Sequence, residues 1–176
     1  LVSLLVAAGS TSAQTARFRS QTLDDALDIG YGVAVADVDG DGRLDIVLAD
    51  QRQIRWYRNP DWSRYVMAER LTERDHVCVA ARDLDGDGRA EIMVGAGWNP
   101  ADTTTPGALF ELLAPADRTA RWKPRPLPAE PTLHRIRWAR DEEGRWTLVT
   151  VPLHGRGNDP ATGTGSGVRV HRYGPS

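Results

Sequence analysis

The sequence predicts an all-β fold of repeated, four-stranded antiparallel sheets, and three observations carry that prediction. The stretch Asp37 to Asp45, Asp-Val-Asp-Gly-Asp-Gly-Arg-Leu-Asp, returns 46 positions later as Asp83 to Glu91, Asp-Leu-Asp-Gly-Asp-Gly-Arg-Ala-Glu. Both copies stand between short apolar, β-branched-rich runs: Val33 to Ala36 and Leu44 to Ala49 around the first, Val77 to Ala81 and Ile92 to Gly95 around the second. Runs of that length suit strands, so each acidic loop closes an antiparallel hairpin. A self-similarity of about 46 residues falls in the range of propeller blades. The helix-flanked EF-hand begins with a similar loop, but the flanks are too short for its helices. Leu48 and Val94 also stand where its bidentate Glu at position 12 belongs.

Taken in order, the chain opens on Leu1-Val2-Ser3-Leu4-Leu5-Val6-Ala7-Ala8-Gly9, then Thr11-Ser12-Ala13. This reads as the apolar core and small-residue cleavage site of a secretory signal peptide over 1–13 with a truncated start. The expected location is therefore secreted or periplasmic. Residues 14–29 read as a linker or a first edge strand. The first blade, about 30–75, has strands expected near 31–36, 44–49, 54–58 and 64–70, the third ending at the turn signal Asn59-Pro60.

The second blade, about 76–131, has strands expected near 76–82, 90–95, 108–113 and 121–127, with a longer loop from Gly97 to Gly107. The third, about 132–176, is degenerate. Ile136 to Arg145 matches the earlier strand and loop with two residues deleted, and Thr147 takes the place of Glu91, so no calcium is expected there. Its later strands are expected at 146–151 and 168–173, joined through His154-Gly155-Arg156-Gly157-Asn158 and a Gly/Thr/Ser-rich stretch. No helix pattern follows to make that stretch a dinucleotide fingerprint. Three blades do not close a ring, so the sequence reads as part of a larger propeller of about seven blades, with its remaining blades as partners.

Composition narrows the partners. The 176 residues are 40% hydrophobic and 26% charged, enough for one ordinary core, and a formal net charge of −2 speaks against nucleic acid. No apolar run beyond the leader approaches the ~18 residues of a membrane span, so no membrane insertion is expected after signal cleavage. The single cysteine, Cys78, sits in an apolar strand and reads as a small buried hydrophobe.

The acidic loops have their own chemistry. Carboxylates at positions 1, 3, 5 and 9 with glycines at 4 and 6 suit a hard cation that takes six or more oxygens, calcium foremost. The expected ligands are Asp37, Asp39, Asp41, the backbone carbonyl of Arg43, and Asp45. In the second loop they are Asp83, Asp85, Asp87, the backbone carbonyl of Arg89, and Glu91. The two arginine side chains are expected to face solvent.

These loops with their strands, Val35 to Val47 and the second copy, resemble the FG-GAP/VCBS repeats of integrin-α-like β-propellers. The resemblance implies that each first strand lies innermost and that calcium is structural, on one end of the barrel of blades. Counting back seven from the first Asp places His76 and His134 at equivalent positions, at the opposite end of the innermost strands. Alignment puts His154 where the second blade has Trp98. Neutral imidazoles from adjacent blades could hold zinc with an open position, which makes His76, His134 and His154 candidate zinc ligands and catalytic groups. The alternative is that they are hydrogen-bonded channel residues. Arg156 is a further candidate catalytic group; Trp98, Asn99 and Asn158 are candidate substrate contacts, the indole by stacking on a sugar face.

A second likeness is narrower. Leu133-His134-Arg135-Ile136-Arg137-Trp138 followed by Val151 to Asn158 is similar to the propeller domain of the fungal aldos-2-ulose dehydratase family. That resemblance implies zinc-assisted water elimination from a sugar, hence a metal-dependent carbon–oxygen lyase. The family's cupin portion has no counterpart in these residues, which leaves its isomerase activity outside this chain. The sequence reading is thus a secreted, calcium-binding, carbohydrate-active repeat propeller with a zinc-assisted dehydratase or lyase site. Its alternative is a non-catalytic adhesion module for a glycan or protein ligand.

Overall fold

The computed structural model describes residues 16–159, 161–162 and 171–173. The expected leader at 1–13, residues 163–167 of the Gly/Thr/Ser-rich stretch, the first half of the strand expected at 168–173, and the last three residues lie outside the described residues. Among those described there is no helix, and so none long and apolar enough to cross a membrane.

Three antiparallel sheets follow one another along the chain. The first is β1 (Gly32–Ala36), β2 (Asp45–Ala49), β3 (Gln53–Arg58) and β4 (Ser63–Glu69), paired in that order. The second is β5 (Cys78–Arg82), β6 (Glu91–Ala96), β7 (Ala108–Leu113) and β8 (Lys123–Leu127), again in order. The third contains β9 (Leu133–Arg140), β10 (Trp146–Pro152) and β11 (His171–Tyr173), with β10 central. These are the expected blade strands to within two residues at most ends. The repeat is also a repeat of register: Ala36 pairs with Asp45 across the first acidic loop, and Arg82 with Glu91 across the second.

Period-2 patterning explains how the sheets stack. In β1 the alanines at 34 and 36 turn towards the second sheet while Val33 and Val35 stay exposed. Val47, Ile54, Trp56 and Met67 of the first sheet bury against Val79, Ile92, Val94 and Leu112 of the second. The other face of the second sheet, through Cys78, Met93 and Leu109, buries against Leu133, Ile136 and Leu148 of the third. Close approach here requires Gly95, because a Cβ on it would stand 2.5 Å from the Cys78 sulfur and 3.1 Å from Leu133. Cys78 is buried and free, and burial pushes its thiol up to about 12. The first strands β1, β5 and β9 lie side by side, and Gly32 lets β1 approach the backbone of Cys78. That is the arrangement of inner strands in successive blades.

Residues 16–29 form no strand, which corrects the edge-strand alternative for 14–29: β1 is itself the edge of its sheet. The segment is instead a strap laid across the face of the first sheet that looks away from the second. Backbone amides of Asp28, Ile29 and Gly30 donate to the buried carboxylate of Asp50 at 3.1, 2.9 and 3.1 Å. Burial alone would raise the Asp50 pKa, but these amides and that of Gln51 outweigh it and the net shift is downward. Arg55 joins Asp50 to Asp24 through contacts of 3.1 and 3.3 Å, and Tyr57 Oη donates to Asp24 at 2.7 Å. Tyr57 foremost, with the Ala26 amide and Arg64, holds Asp24 down at about 2 against the effect of burial. A polar network therefore covers a strand face whose alternate residues, Gln53, Arg55 and Tyr57, are polar.

Candidate functional site

Each acidic loop is organised by its first aspartate. Asp37 accepts from Gly40 N and Gly42 N, both at 2.7 Å, one on each carboxylate oxygen; Asp83 does the same with Gly86 N and Gly88 N at 2.7 and 3.0 Å. The wrap needs the four glycines to adopt φ between +83° and +85°, a region costly for residues with a Cβ. The last ligand position ties the loop to the body of the sheet. Asp45 is fully buried, accepts from Val38 N at 2.8 Å, and accepts from Asn59 N at 2.9 Å in the β3–β4 turn. Glu91 accepts from Leu84 N at 2.7 Å.

This folding gathers carboxylates. Oxygens of Asp37, Asp39 and Asp45 lie within 4.8 Å of one another, as do those of Asp83, Asp85 and Glu91. Burial, with the charges of Asp39 and Asp37 added to it, raises the Asp45 pKa despite the two amides. Glu91 is raised by the same causes, burial first, then Asp85, Asp87 and Asp83. A carboxylate cluster that is both partly desolvated and self-repelling fits a divalent cation, which would satisfy the free lone pairs and cancel the repulsion.

Position 5 behaves differently from the expectation. Asp41 is not in the gathered set; it accepts from Arg43 N at 2.8 Å, and its second oxygen meets the Arg43 guanidinium at 3.2 Å. Asp87 accepts from Arg89 N at 2.8 Å and likewise stands outside its set. Both loops are also joined to each other. The Arg89 side chain packs on Gly40, Ala90 N donates to Asp37 O at 2.8 Å, and Arg118 Nη1 donates to both Val38 O and Ala90 O, at 2.8 and 3.0 Å. The Arg89 side chain leans on the first loop and is exposed, as expected. Sequence reasoning missed Arg118, which lies outside the repeat motif. In the third sheet Asp141 closes the shortened turn itself, accepting from Arg145 N at 2.7 Å and Arg145 Nε at 2.8 Å.

At the other end of the strands the expected histidine triad does not assemble. Among the described residues, the two acidic sets are the groups of three or more metal-capable side chains. His76 is fully buried with both ring nitrogens engaged: Nε2 accepts from Leu71 N at 3.3 Å, and Nδ1 faces Asp50 O at 3.2 Å, where it donates. Burial foremost keeps this imidazole below its ordinary pKa and neutral. It has no lone pair to give a metal, which corrects its assignment as a zinc ligand and proton carrier. The repeat-equivalent position was legible in the sequence, whereas the hydrogen-bonding partners came from a turn outside the repeat.

His134 stacks on Trp98, ring centroids 5.2 Å apart and planes 21° from parallel, and burial foremost, with Arg135 beside it, lowers its pKa. His154 is held by its backbone, which donates to and accepts from Thr132 Oγ1 at 3.1 Å. Arg156 reaches Glu130 at 3.3 Å and donates to Thr104 O at 3.3 Å, so it braces the loop while its side chain stays exposed. Asn158 O accepts from Thr103 Oγ1 at 2.7 Å. Asn99 lines a shallow depression of about 290 Å³ with Thr72, Glu73, Arg74 and Asp102. The β6–β7 loop and residues 154–158 thus form one stitched surface beside the Trp98–His134 pair.

Residues 37–94 match the FG-GAP-like repeat family, a span that takes in both acidic loops and the strands between them. A comparison with curated proteins finds no match to the chain.

Proposed function

From a chain that carries FG-GAP-like repeats over 37–94, we propose a non-catalytic recognition module whose acidic loops bind calcium and whose opposite loop face engages an extracellular ligand. The observation that carries this reading is the duplicate carboxylate set, Asp37, Asp39 and Asp45 and then Asp83, Asp85 and Glu91, each within 4.8 Å. Calcium is the structural element. It ties the ends of β1 and β2, and of β5 and β6, into loops that would otherwise repel themselves, and the secreted or periplasmic setting supplies the ion.

The ligand face is the surface of Trp98, His134 and Asn99. Indole and imidazole are stacked face to face, a ring pair whose remaining face is of the kind a sugar ring covers, and the depression beside it carries the polar groups that fix orientation. A zinc-assisted lyase is not part of this proposal, because His76 has no nitrogen free. The test is calcium titration of the full chain followed by thermal melting with and without chelator. We expect two sites and a melting temperature that falls on chelation; a melt indifferent to calcium rejects the assignment.

A further inference from the structure

We propose that the recess along the first strands of the three sheets binds a small organic carboxylate with an apolar body. This site is separate from the Trp98 face and borders the second acidic loop, where Arg82 pairs across the hairpin with Glu91. β1, β5 and β9 wall it, with Val33, Val79, Ala80, Arg82, Arg137 and Trp138 among the residues around a volume of about 260 Å³. Its charged lining groups are the two guanidinium groups, and no carboxylate lines it.

The electrostatics are unbalanced in one direction. Some arginines of the chain, Arg55, Arg64 and Arg145 among them, meet a carboxylate within 3.3 Å. Arg82 and Arg137 meet none among the described residues. Arg82 is nevertheless held in place, its guanidinium 3.9 Å from the centre of the Trp146 ring. Stacking occupies the face of a guanidinium and leaves its edge donors directed outward, the arrangement that receives a carboxylate by two parallel hydrogen bonds. Arg137 spends one donor on Ile136 O at 2.8 Å and keeps the others. Trp138 lines the same wall with its indole, and the buried N–H of that ring, without an acceptor among the described residues, is a reporter of what happens there.

The remaining lining is valine, alanine and the body of the indole, which asks for an apolar body behind the acid group. The edge backbone of the first strands can serve any polar ligand, so it is the two cations that select an acid. An inorganic anion would use the guanidinium groups and leave the apolar wall wet.

Benzoate is the probe and benzyl alcohol its neutral counterpart. Titrated into the ¹⁵N-labelled full chain in calcium and low salt, benzoate is expected to bind saturably and to move the Trp138 indole N–H resonance, assigned with Trp138→Phe. Arg137→Gln and Arg82→Gln should each weaken that binding by about tenfold, the effect of losing one charge-assisted hydrogen bond. Arg137 is exposed and lies outside the acidic loops, so Arg137→Gln keeps the calcium-dependent melt and is the variant that decides. No saturation by benzoate, equal binding of benzyl alcohol, or undiminished binding in Arg137→Gln overturns the proposal.

Discussion

Ala90 N donates to Asp37 O at 2.8 Å, so the penultimate residue of the second acidic loop is bonded to the first residue of the first. Arg118 spans the same junction by donating to Val38 O and Ala90 O. Two loops far apart in sequence therefore share one backbone seam, and ordering either one orders part of the other. With calcium as the ligand, the sites should be coupled. Asp83→Ala is expected to remove its own site and to weaken the remaining one by several-fold, within the 5–150-fold range usual for site coupling. Calorimetric titration of the variant checks it; an unchanged affinity at the first loop refutes the coupling.

Asp45 separates the metal contribution from the scaffold contribution. Its oxygens accept from Val38 N and Asn59 N, so Asp45→Ala leaves two buried amides unsatisfied as well as removing a ligand. Without calcium the variant should lose about 1–3 kcal/mol of stability. With calcium at a hundredfold excess over Kd the wild type gains about 2.7 kcal/mol per site, and the variant should lose most of one such increment. Denaturant melts of both proteins, with and without chelator, give the four numbers needed. A variant that differs from wild type in calcium alone would assign Asp45 to the ion and not to the fold.

The strap is predicted to be a cooperative part of the first sheet. Asp50 is fully buried and holds three strap amides and the Arg55 guanidinium. Asp50→Ala leaves the buried Arg55 with one carboxylate partner, Asp24, in place of two, and a loss of about 3–5 kcal/mol is expected for breaking a buried pair. Limited proteolysis should then cut within 16–30 at protease levels that leave wild type intact. Equal resistance in the two proteins would show that the strap is anchored by other contacts.

Much of this architecture was legible because it repeats. A period of 46 and the short apolar runs around each acidic loop marked the hairpins, but the run Val33 to Ala36 did not tell which face packs: the alanines turn inward and the larger valines stay exposed. Spacing placed carboxylates at positions 1, 3, 5 and 9 of each loop; the folded loops gather those at 1, 3 and 9, while the carboxylate at 5 accepts from the amide at 7. What escaped was whatever the repeat does not contain. Asp50 aligns with Ala96, Arg118 has no counterpart in the first sheet, and the Leu71 amide that occupies His76 comes from a connecting turn. Arg55 offered a faint signal, a cation in the middle of an otherwise apolar strand, but its partner Asp24 is too distant in sequence for periodicity to reveal. Equivalence in a repeat locates a side chain on a strand; its chemistry is decided by the non-equivalent segment packed upon it.

His76 gives this last point a measurable form. Burial foremost depresses its pKa in the folded protein below the ordinary 6.5, so over the range beneath 6.5 the unfolded chain binds a proton that the folded chain does not. Its contribution to stability is therefore complete above about 6.5, erodes as pH falls below that value, and is lost once pH passes the folded-state pKa. Acid cannot be accommodated locally, because a protonated Nε2 would point a hydrogen at the Leu71 amide that now donates to it. Calcium-saturated melts should show a falling transition temperature from pH 7 to pH 5. In His76→Gln, whose amide oxygen can still accept from Leu71 and which does not titrate, that part of the slope should disappear although the variant is less stable throughout. A slope that survives the substitution would place the acid sensitivity in the carboxylate sets, where protonating Asp45 and Glu91 weakens the ion, and chelated protein compared over the same pH range would then separate the two.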